Sequence, residues 1–391
     1  MRKKVLIFIL ILICLLVLIA FRSSSQNGVR SEHGRGNGSP AETTISAPGS
    51  AEKNKILPFS SSADECNTPV QRMPGEPIPA EVTQAALYGA KAKITLHVVD
   101  AKGNDVVGAE VMGSFAGTKN PAELYKVLTG ADGRVTLDAV HAGYMVTFTV
   151  SKDKYYITRM GHQFDRRDWI CVRNGCWIPW NPTLEVILKE KRNPIPMFAK
   201  WVKVYLPKKN TPFGFDCQVG DLVEPYGIGK VTDMVFTYSS CLAGEADRRY
   251  TNQLVIAALS TSEGIKKMNM DSWSELYSVH DAPQDGYQPE IVFNCKSESP
   301  SVRKEINFSS DMYLVFQSRI KKDKNGNILS VNCGKIYPMR FDYGEAPSDK
   351  GQGRVEFSYY FNPTPNDRNL EFDGKNNLMQ GLSSLEEVYT P

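Results

Sequence analysis

The sequence predicts a mainly β protein: an N-terminal transmembrane helix or signal segment, a disordered tether, and two antiparallel β-sandwich domains. Three observations carry this expectation. Val5–Phe21 is an unbroken apolar run behind Arg2, Lys3 and Lys4. From Ser23 to about Pro79 the chain is rich in Ser, Gly, Pro, Ala and Thr. Beyond it, short stretches of alternating apolar and polar residues recur between turns bearing Gly, Asn and Asp, the pattern of stacked sheets.

The apolar run contains no charge, Pro or Gly. As a helix it spans roughly 25 Å, slightly under the ~30 Å hydrocarbon core, a mismatch that local thinning absorbs. Three cations precede it and Arg22 alone follows closely, so the N-terminus is placed in the cytoplasm and the rest outside it, in the periplasm or at the cell surface. Residues 1–22 are read as a retained anchor, because the apolar region of a signal peptide usually holds about 7–15 residues. Cleavage and secretion is the alternative, with Ser23 and Ser25 at the boundary.

Lys and Arg number 46 against 43 Asp and Glu, and the three leader cations account for the excess. No basic block occurs. Phosphate binding needs clustered Lys and Arg, so nucleic acid is not an expected partner. Residues 23–80, which include His33, cannot bury enough apolar surface to offset their ordering entropy, and are read as a flexible linker.

Seven of the eight cysteines lie outside the apolar run: Cys66, Cys171, Cys176, Cys217, Cys241, Cys295 and Cys333. In an oxidising compartment such residues usually pair. In Cys171-Val-Arg-Asn-Gly-Cys176 the Asn-Gly turn signal predicts a hairpin with the two sulfurs opposed. Cys217–Cys241 and Cys295–Cys333 are the further pairs expected, which leaves Cys66 free or joined to another chain. A zinc site needs a second matching pair or nearby histidines, so no metal is expected.

Residues 91–190 read as a first sandwich. Ile94, Leu96 and Val98 alternate with Thr95, His97 and Val99, and the same period of two recurs at Val107, Ala109 and Val111, then Val135 and Leu137, then Val146, Phe148 and Val150, then Leu184, Val186 and Leu188. Asp100–Gly103 and Thr129–Gly133 supply turns, and Pro121–Leu128 a short helical turn. Asn193-Pro-Ile-Pro196 is a stiff connector. Residues 193–375 read as a second sandwich, with strands at Trp201–Leu206, Met234–Tyr238, Leu254–Leu259, Ile291–Phe293, Met312–Ile320, Ile328–Tyr337 and Arg354–Phe361. Lys324–Asn327 makes a hairpin and Ser272–Val279 one short helix. Residues 376–391 are read as a loose polar tail.

The stretches VVDAKGNDVVGAEV, TGADGRVTL and AGYMVTFTVSKDKYY resemble a carboxypeptidase-regulatory-like domain, whose fold is the transthyretin-like sandwich. The resemblance implies an accessory module and carries no catalytic residue. In the second unit NPIPMFAKWV, GFDCQVGDLVEPYGIGKVTDMVFTY, GKIY and FSYYFNPTPNDRNLEFD resemble a domain of uncharacterised exported bacterial proteins, which implies no activity.

Catalytic motifs are few. No Gly-x-Ser-x-Gly elbow occurs, and no histidine pair stands at metalloprotease spacing. The acidic group Asp216, Asp221, Glu224 and Asp233 has the residue types for acid–base work on a glycoside, but Gly220 and Pro225 among them favour turns. Trp169, Trp177 and Trp180 crowd the Cys171–Cys176 hairpin. They predict either an aromatic platform for a sugar or protein partner, or indoles that cover the hairpin. Asn366, Asp367 and Arg368 are read as an ordered polar loop, Tyr359–Phe361 as strand core, His97 as solvent-facing, and His162 and His280 as loop residues.

The expected function is therefore an exported, membrane-tethered cell-envelope binding or scaffolding protein without cofactor or catalysis. Its partners would be the membrane, through Val5–Phe21, and a glycan or envelope protein. An envelope enzyme using Asp216, Asp221 and Asp233 is one alternative. A structural surface or assembly subunit, linked through Cys66, is another.

Overall fold

The computed structural model describes residues 70–71, 75–115, 123–164, 169–244, 249–260, 262–299, 302–306, 311–343 and 353–391. The Val5–Phe21 anchor, most of the linker and Cys66 lie outside the described residues. Most of the period-two alternation becomes strand, and the protein is mainly β. Val107 is the exception, standing in a turn and exposed because the strand that follows starts only at Glu110. Its described N-terminal part runs β1 (Val70–Gln71), helix α1 (Ala80–Tyr88), β2 (Ala90–Asp100), β3 (Glu110–Phe115), β4 (Glu123–Leu128), β5 (Arg134–His141) and β6 (Met145–Ser151). It continues with β7 (Thr158–Gln163), β8 (Trp169–Ile170), β9 (Val172–Arg173), β10 (Cys176–Trp177) and β11 (Thr183–Leu188).

These strands form a sheet ordered β11-β2-β10-β9, with β5 also on β2, and a sheet ordered β4-β3-β6-β7. Ile94, Leu96, Val98, Val186 and Leu188 of the first meet Val111, Phe115, Val146, Phe148 and Val150 of the second in one core. Each fully buried large apolar side chain contributes roughly 1.5–3 kcal/mol, so the alternation sets which face turns inward.

Four expectations fail here. The first sheet is not wholly antiparallel: β11 lies parallel to β2, from Thr183 opposite Thr95 to Leu188 opposite Asp100. A strand's own pattern sets its faces but not its neighbour's direction. Pro121–Leu128 holds no helical turn in its described part, because Glu123–Leu128 pairs along β3 as β4. The 23–80 linker contains a strand, since Val70 and Gln71 pair with Ile170 and Trp169. His162 is a strand residue of β7, opposite Val146.

The chain continues with β12 (Phe198–Leu206), β13 (Phe213–Asp216), β14 (Asp221–Leu222), β15 (Met234–Gly244), β16 (Arg249–Ala257), β17 (Gly264–Asn269) and β18 (Glu290–Ser299). It ends with β19 (Val302–Ile306), β20 (Met312–Lys322), β21 (Ile328–Tyr343) and β22 (Gly353–Phe361). One sheet runs β12-β22-β21-β20-β17 and the other β14-β13-β15-β16-β18-β19. Leu314, Phe316, Ile336, Phe357 and Tyr359 of the first pack on Phe215, Phe236, Leu254, Ile256 and Phe293 of the second. The outer face of the first sheet is buried too: Tyr313, Val315, Cys333 and Tyr360 meet Tyr277, Leu370 and Phe372. Burial on both faces explains why Met312–Phe316 and Phe357–Phe361 are continuous runs rather than alternations.

Ser272–Val279 is not a helix; it is an irregular stretch in which Ser274 bridges Thr158. Nor is the C-terminal segment loose. Asn377 bonds both backbone groups of Ala199 (3.2 and 2.6 Å), Trp201 N donates to Glu386 O (2.8 Å), and Lys200 pairs with Glu386 at 3.0 Å. The segment satisfies the edge of β12, which a polar composition alone did not announce.

None of the three expected disulfides is bonded. The 171–176 hairpin forms, with Asn174 and Gly175 both at positive φ (50° and 71°). The loop is two residues long, so Cys176 faces Arg173 while Cys171 faces Ile178, leaving the two cysteines diagonal. Phe215 pairs with Met234, and Cys241 stands seven residues further along β15, about 24 Å at strand rise, well beyond disulfide reach of Cys217. Cys333 lies on the outer face of its sheet, whereas Cys295 belongs to the opposite sheet.

Candidate functional site

The acidic group divides in the structure. Asp216 and Asp233 meet on Arg319; Asp221 does not join them. Arg319 Nε donates to Asp233 Oδ1 (2.7 Å), and its Nη2 donates to Asp233 Oδ2 (2.8 Å) and Asp216 Oδ1 (3.0 Å). Asp233 also accepts from Cys217 N and Ser318 Oγ, both at 2.8 Å. Asp216 accepts from Gln218 N, Lys230 N and Val231 N, each at 3.0 Å. Burial opposes the charge of Asp216, but the amides of Lys230, Val231 and Gln218, with Arg319, outweigh it and hold the carboxyl below its ordinary pKa. A general acid needs the opposite shift. Both carboxylates are buried, at 3% and 2% exposure. Asp221 instead ties its own loop, accepting from Leu222 N (2.8 Å) and Ile228 N (3.0 Å). Glu224 is exposed.

Arg319 escaped the sequence reading. It sits at φ 53°, where β20 shifts register against β21, a strained position for a non-glycine residue. Its guanidinium also lies 5.0 Å from the Phe361 ring centroid. The only signal in the sequence was a charged residue closing the run Met312–Ser318.

Trp177 cannot join an aromatic platform. Trp177 has no exposed surface: its Nε1 donates to His141 O (2.8 Å) and its ring stacks on Phe164 at 5.5 Å. A strand-facing indole in a short hairpin is core when the hairpin lies across a sheet, and β10 pairs with β2. Trp180 is half-buried, with Lys93 Nζ 6.0 Å from its ring. Trp169 pairs with Gln71 through β8.

A second polar cluster, unforeseen, joins the two sheet pairs. Tyr156 Oη donates to Glu371 Oε1 (3.0 Å), which also accepts from Arg192 N (3.1 Å), while Asn193 N reaches Oε2 (3.0 Å). Lys189 Nζ donates to Ser278 O (3.0 Å) and pairs with Asp271 (2.7 Å). Lys335 Nζ, wholly buried, donates to Ser278 Oγ (3.0 Å) and lies 4.9 and 4.7 Å from the rings of Tyr277 and Tyr360. Burial pushes the Lys335 pKa well below that of a free lysine. His280, read as a loop residue, is in irregular structure but buried, with Nε2 2.8 Å from Glu190 O. These bonds fasten the end of the first sheet pair to the outer face of the second.

An open depression of about 380 Å³ lies on β12 and β22, lined by Trp201, Ser358, Leu385, Glu387 and Val388. Among the described residues no group of three or more His, Cys, Asp or Glu is arranged to hold a metal ion.

No family model matches the chain, and no curated protein matches it. Among solved structures, 3-chlorocatechol 1,2-dioxygenase from Rhodococcus opacus 1CP is similar at TM-score 0.22 and 14% identity, over 33% of this chain and 75% of that one. Catechol 1,2-dioxygenase from Pseudomonas arvilla C-1 is similar at TM-score 0.21 and 14% identity, over 27% and 54%. Hydroxyquinol 1,2-dioxygenase from Pseudomonas putida DLL-E4 is similar at TM-score 0.20 and 12% identity, over 26% and 57%. The latter two matches span little more than half of those enzymes. At these scores neither fold nor chemistry passes from them to this chain.

Proposed function

We propose that this is an exported, membrane-tethered cell-envelope protein that binds or scaffolds without catalysing a reaction, built from two β-sandwich modules of which the first is transthyretin-like. The observation that carries this reading is the state of Asp216 and Asp233. Every oxygen of both accepts from Arg319, Ser318 or a backbone amide. Carboxylates so engaged have their oxygens directed at protein donors and fix structure rather than facing a substrate. The export and tether rest on Val5–Phe21 and its flanking cations.

The test uses the full chain in detergent on a glycan array and against purified envelope fractions, with product analysis of every bound material. The reading expects retention without product. Turnover of any glycan or peptide, abolished by Asp216→Asn, would replace it with the enzyme reading.

A further inference from the structure

The depression on β12 and β22 has a chemistry that the two polar clusters lack. Trp201 and Ser358 stand directly opposite each other on the two strands, so their side chains share one face. Val202, Phe357 and Tyr359 turn into the core, which leaves Trp201 and Ser358 on the outer face. Ser358 is only 6% exposed, and Trp201 is half-buried. Among the described residues neither the Ser358 hydroxyl nor the Trp201 indole N–H has a hydrogen-bond partner. A fold gains nothing from burying polar groups unpaired. These two line a hollow of about 380 Å³, the size of a small-ligand site. The C-terminal segment adds Leu385, Glu387 and Val388 as the opposite wall. That wall is fixed in place. The Glu386 carboxylate accepts from Ser383 Oγ (2.6 Å) and Ser383 N (3.0 Å), and its carbonyl accepts from Trp201 N (2.8 Å).

We infer that this hollow holds one ring of a neutral glycan whose chain runs along β12. A sugar ring has an apolar C–H face to lie on the indole and hydroxyls that both donate and accept. The Trp201 N–H needs an acceptor, the Glu387 carboxylate needs a donor, and the Ser358 hydroxyl serves as either. An ammonium or guanidinium group has no acceptor for the indole N–H. An anion meets the charge of Glu387, and a hydrocarbon leaves all three groups unpaired. Tyr205 lies on the same face of β12 four residues further on, about 13 Å at strand rise, and is 39% exposed. It offers a second surface to a ring further along the chain. Between them Lys203 and Arg354 both reach Glu356, at 3.7 and 3.3 Å. With Glu387 the charges of this face balance, which favours an uncharged chain. The inference rests on the binding role proposed above and names its partner as a glycan.

The experiment applies the purified full chain, kept free of sugar-based detergents, to an array of neutral and anionic glycans and to envelope protein. The expected result is retention of neutral glycans, with longer chains held more tightly than single sugars. Trp201→Ala should weaken the best neutral glycan about tenfold or more. Ser358→Ala should weaken it about three- to tenfold, the loss of one hydrogen bond. Tyr205→Ala should remove the gain from chain length. Trp273→Ala, which removes an indole 52% exposed elsewhere on the protein, is the control and should change nothing. Melting temperatures separate lost binding from lost fold, and exposed Glu387→Gln supplies a second loss of binding should Trp201→Ala not fold. Retention of anionic glycans alone, of no glycan, or of neutral glycans held equally by Trp201→Ala and Ser358→Ala overturns the inference. With envelope protein still retained, only this inference fails; with nothing retained, the binding role fails as well.

Discussion

Arg319 grips Asp233 through two parallel bonds, Nε to Oδ1 at 2.7 Å and Nη2 to Oδ2 at 2.8 Å. The pair ties β20 of one sheet to the residue that precedes β15 of the other, and the spare reach of Nη2 brings in Asp216. A planar fork is suited to this; a lysine could not hold both carboxylates.

Removing the cation strands two buried carboxylates. Arg319→Met should therefore destabilise the protein by roughly 3–5 kcal/mol, the range for breaking a buried pair from one side. Urea unfolding of the purified protein measures it, and a loss under 1 kcal/mol would show that the clamp is not structural.

Lys335 behaves in the opposite way. It is buried between Tyr277 and Tyr360 with its pKa pushed down. The folded state therefore prefers the neutral amine, and its contribution grows as pH rises from the lowered folded pKa towards the unfolded value near 10.4. Lys335→Met, similar in volume, should be neutral or stabilising by about 1–4 kcal/mol at pH 7. That advantage should shrink towards pH 10. Melting curves of both proteins from pH 7 to 10 decide it; a Met variant that fails to fold would contradict the account.

His141 gives an acid-side dependence. Burial brings its pKa to about 4, against a smaller upward effect of its bond with the Met145 backbone. A histidine that is harder to protonate when folded stabilises the protein above its unfolded pKa of ~6.5, and this is lost as pH falls from there to about 4. The loss should be on the order of 2–3 kcal/mol. His162, also lowered by burial, acts with the same sign. Denaturant titrations at pH 7, 6, 5 and 4 should show a decline that His141→Asn flattens in part; an unchanged slope would count against it.

Gly227 tests the shape of the loop that Asp221 ties. A side chain there would collide with Leu222 O and stand 2.8 Å from the Asp221 carboxyl. Gly227→Ala should shift the loop and destabilise the protein by about 1–3 kcal/mol, the usual effect of overpacking. Loss of amide protection at Ile228 in hydrogen exchange would locate the damage; unchanged protection would show that the loop has slack.

Peptide mapping under non-reducing conditions should yield no Cys217–Cys241 or Cys295–Cys333 cross-link. A linked peptide of either kind would contradict the strand register of β13 on β15 or the two-sheet arrangement of β18 and β21.

Strand positions were readable because an alternating pattern specifies its own faces, as Ile94, Leu96 and Val98 do. The hairpin at Asp323–Asn327 was readable for a similar reason, since its bonds are local: Asp323 N to Asn327 O at 2.9 Å and Asn327 N to Asp323 Oδ1 at 2.8 Å. The buried role of Tyr359–Phe361 followed from its unbroken apolar character. The site was much less readable. Asp216 and Asp233 were visible as acidic residues, but their partner lies 86 residues beyond Asp233, and nothing local pairs them. Trp177 looked like a platform because its aromatic neighbours are adjacent in sequence, whereas its surroundings come from β5 and Phe164.

By itself the sequence determined the mainly β class, most strand positions and the tight turns, because these depend on side-chain period and backbone freedom within a few residues. Only the tertiary structure decided the parallel direction of β11, the separation of the cysteines, the docking of the C-terminal segment and the conversion of acidic residues into a clamp. Those outcomes depend on which distant groups meet after packing, where burial sets Asp216 and Asp233 against Arg319 and strand position keeps Cys217 away from Cys241.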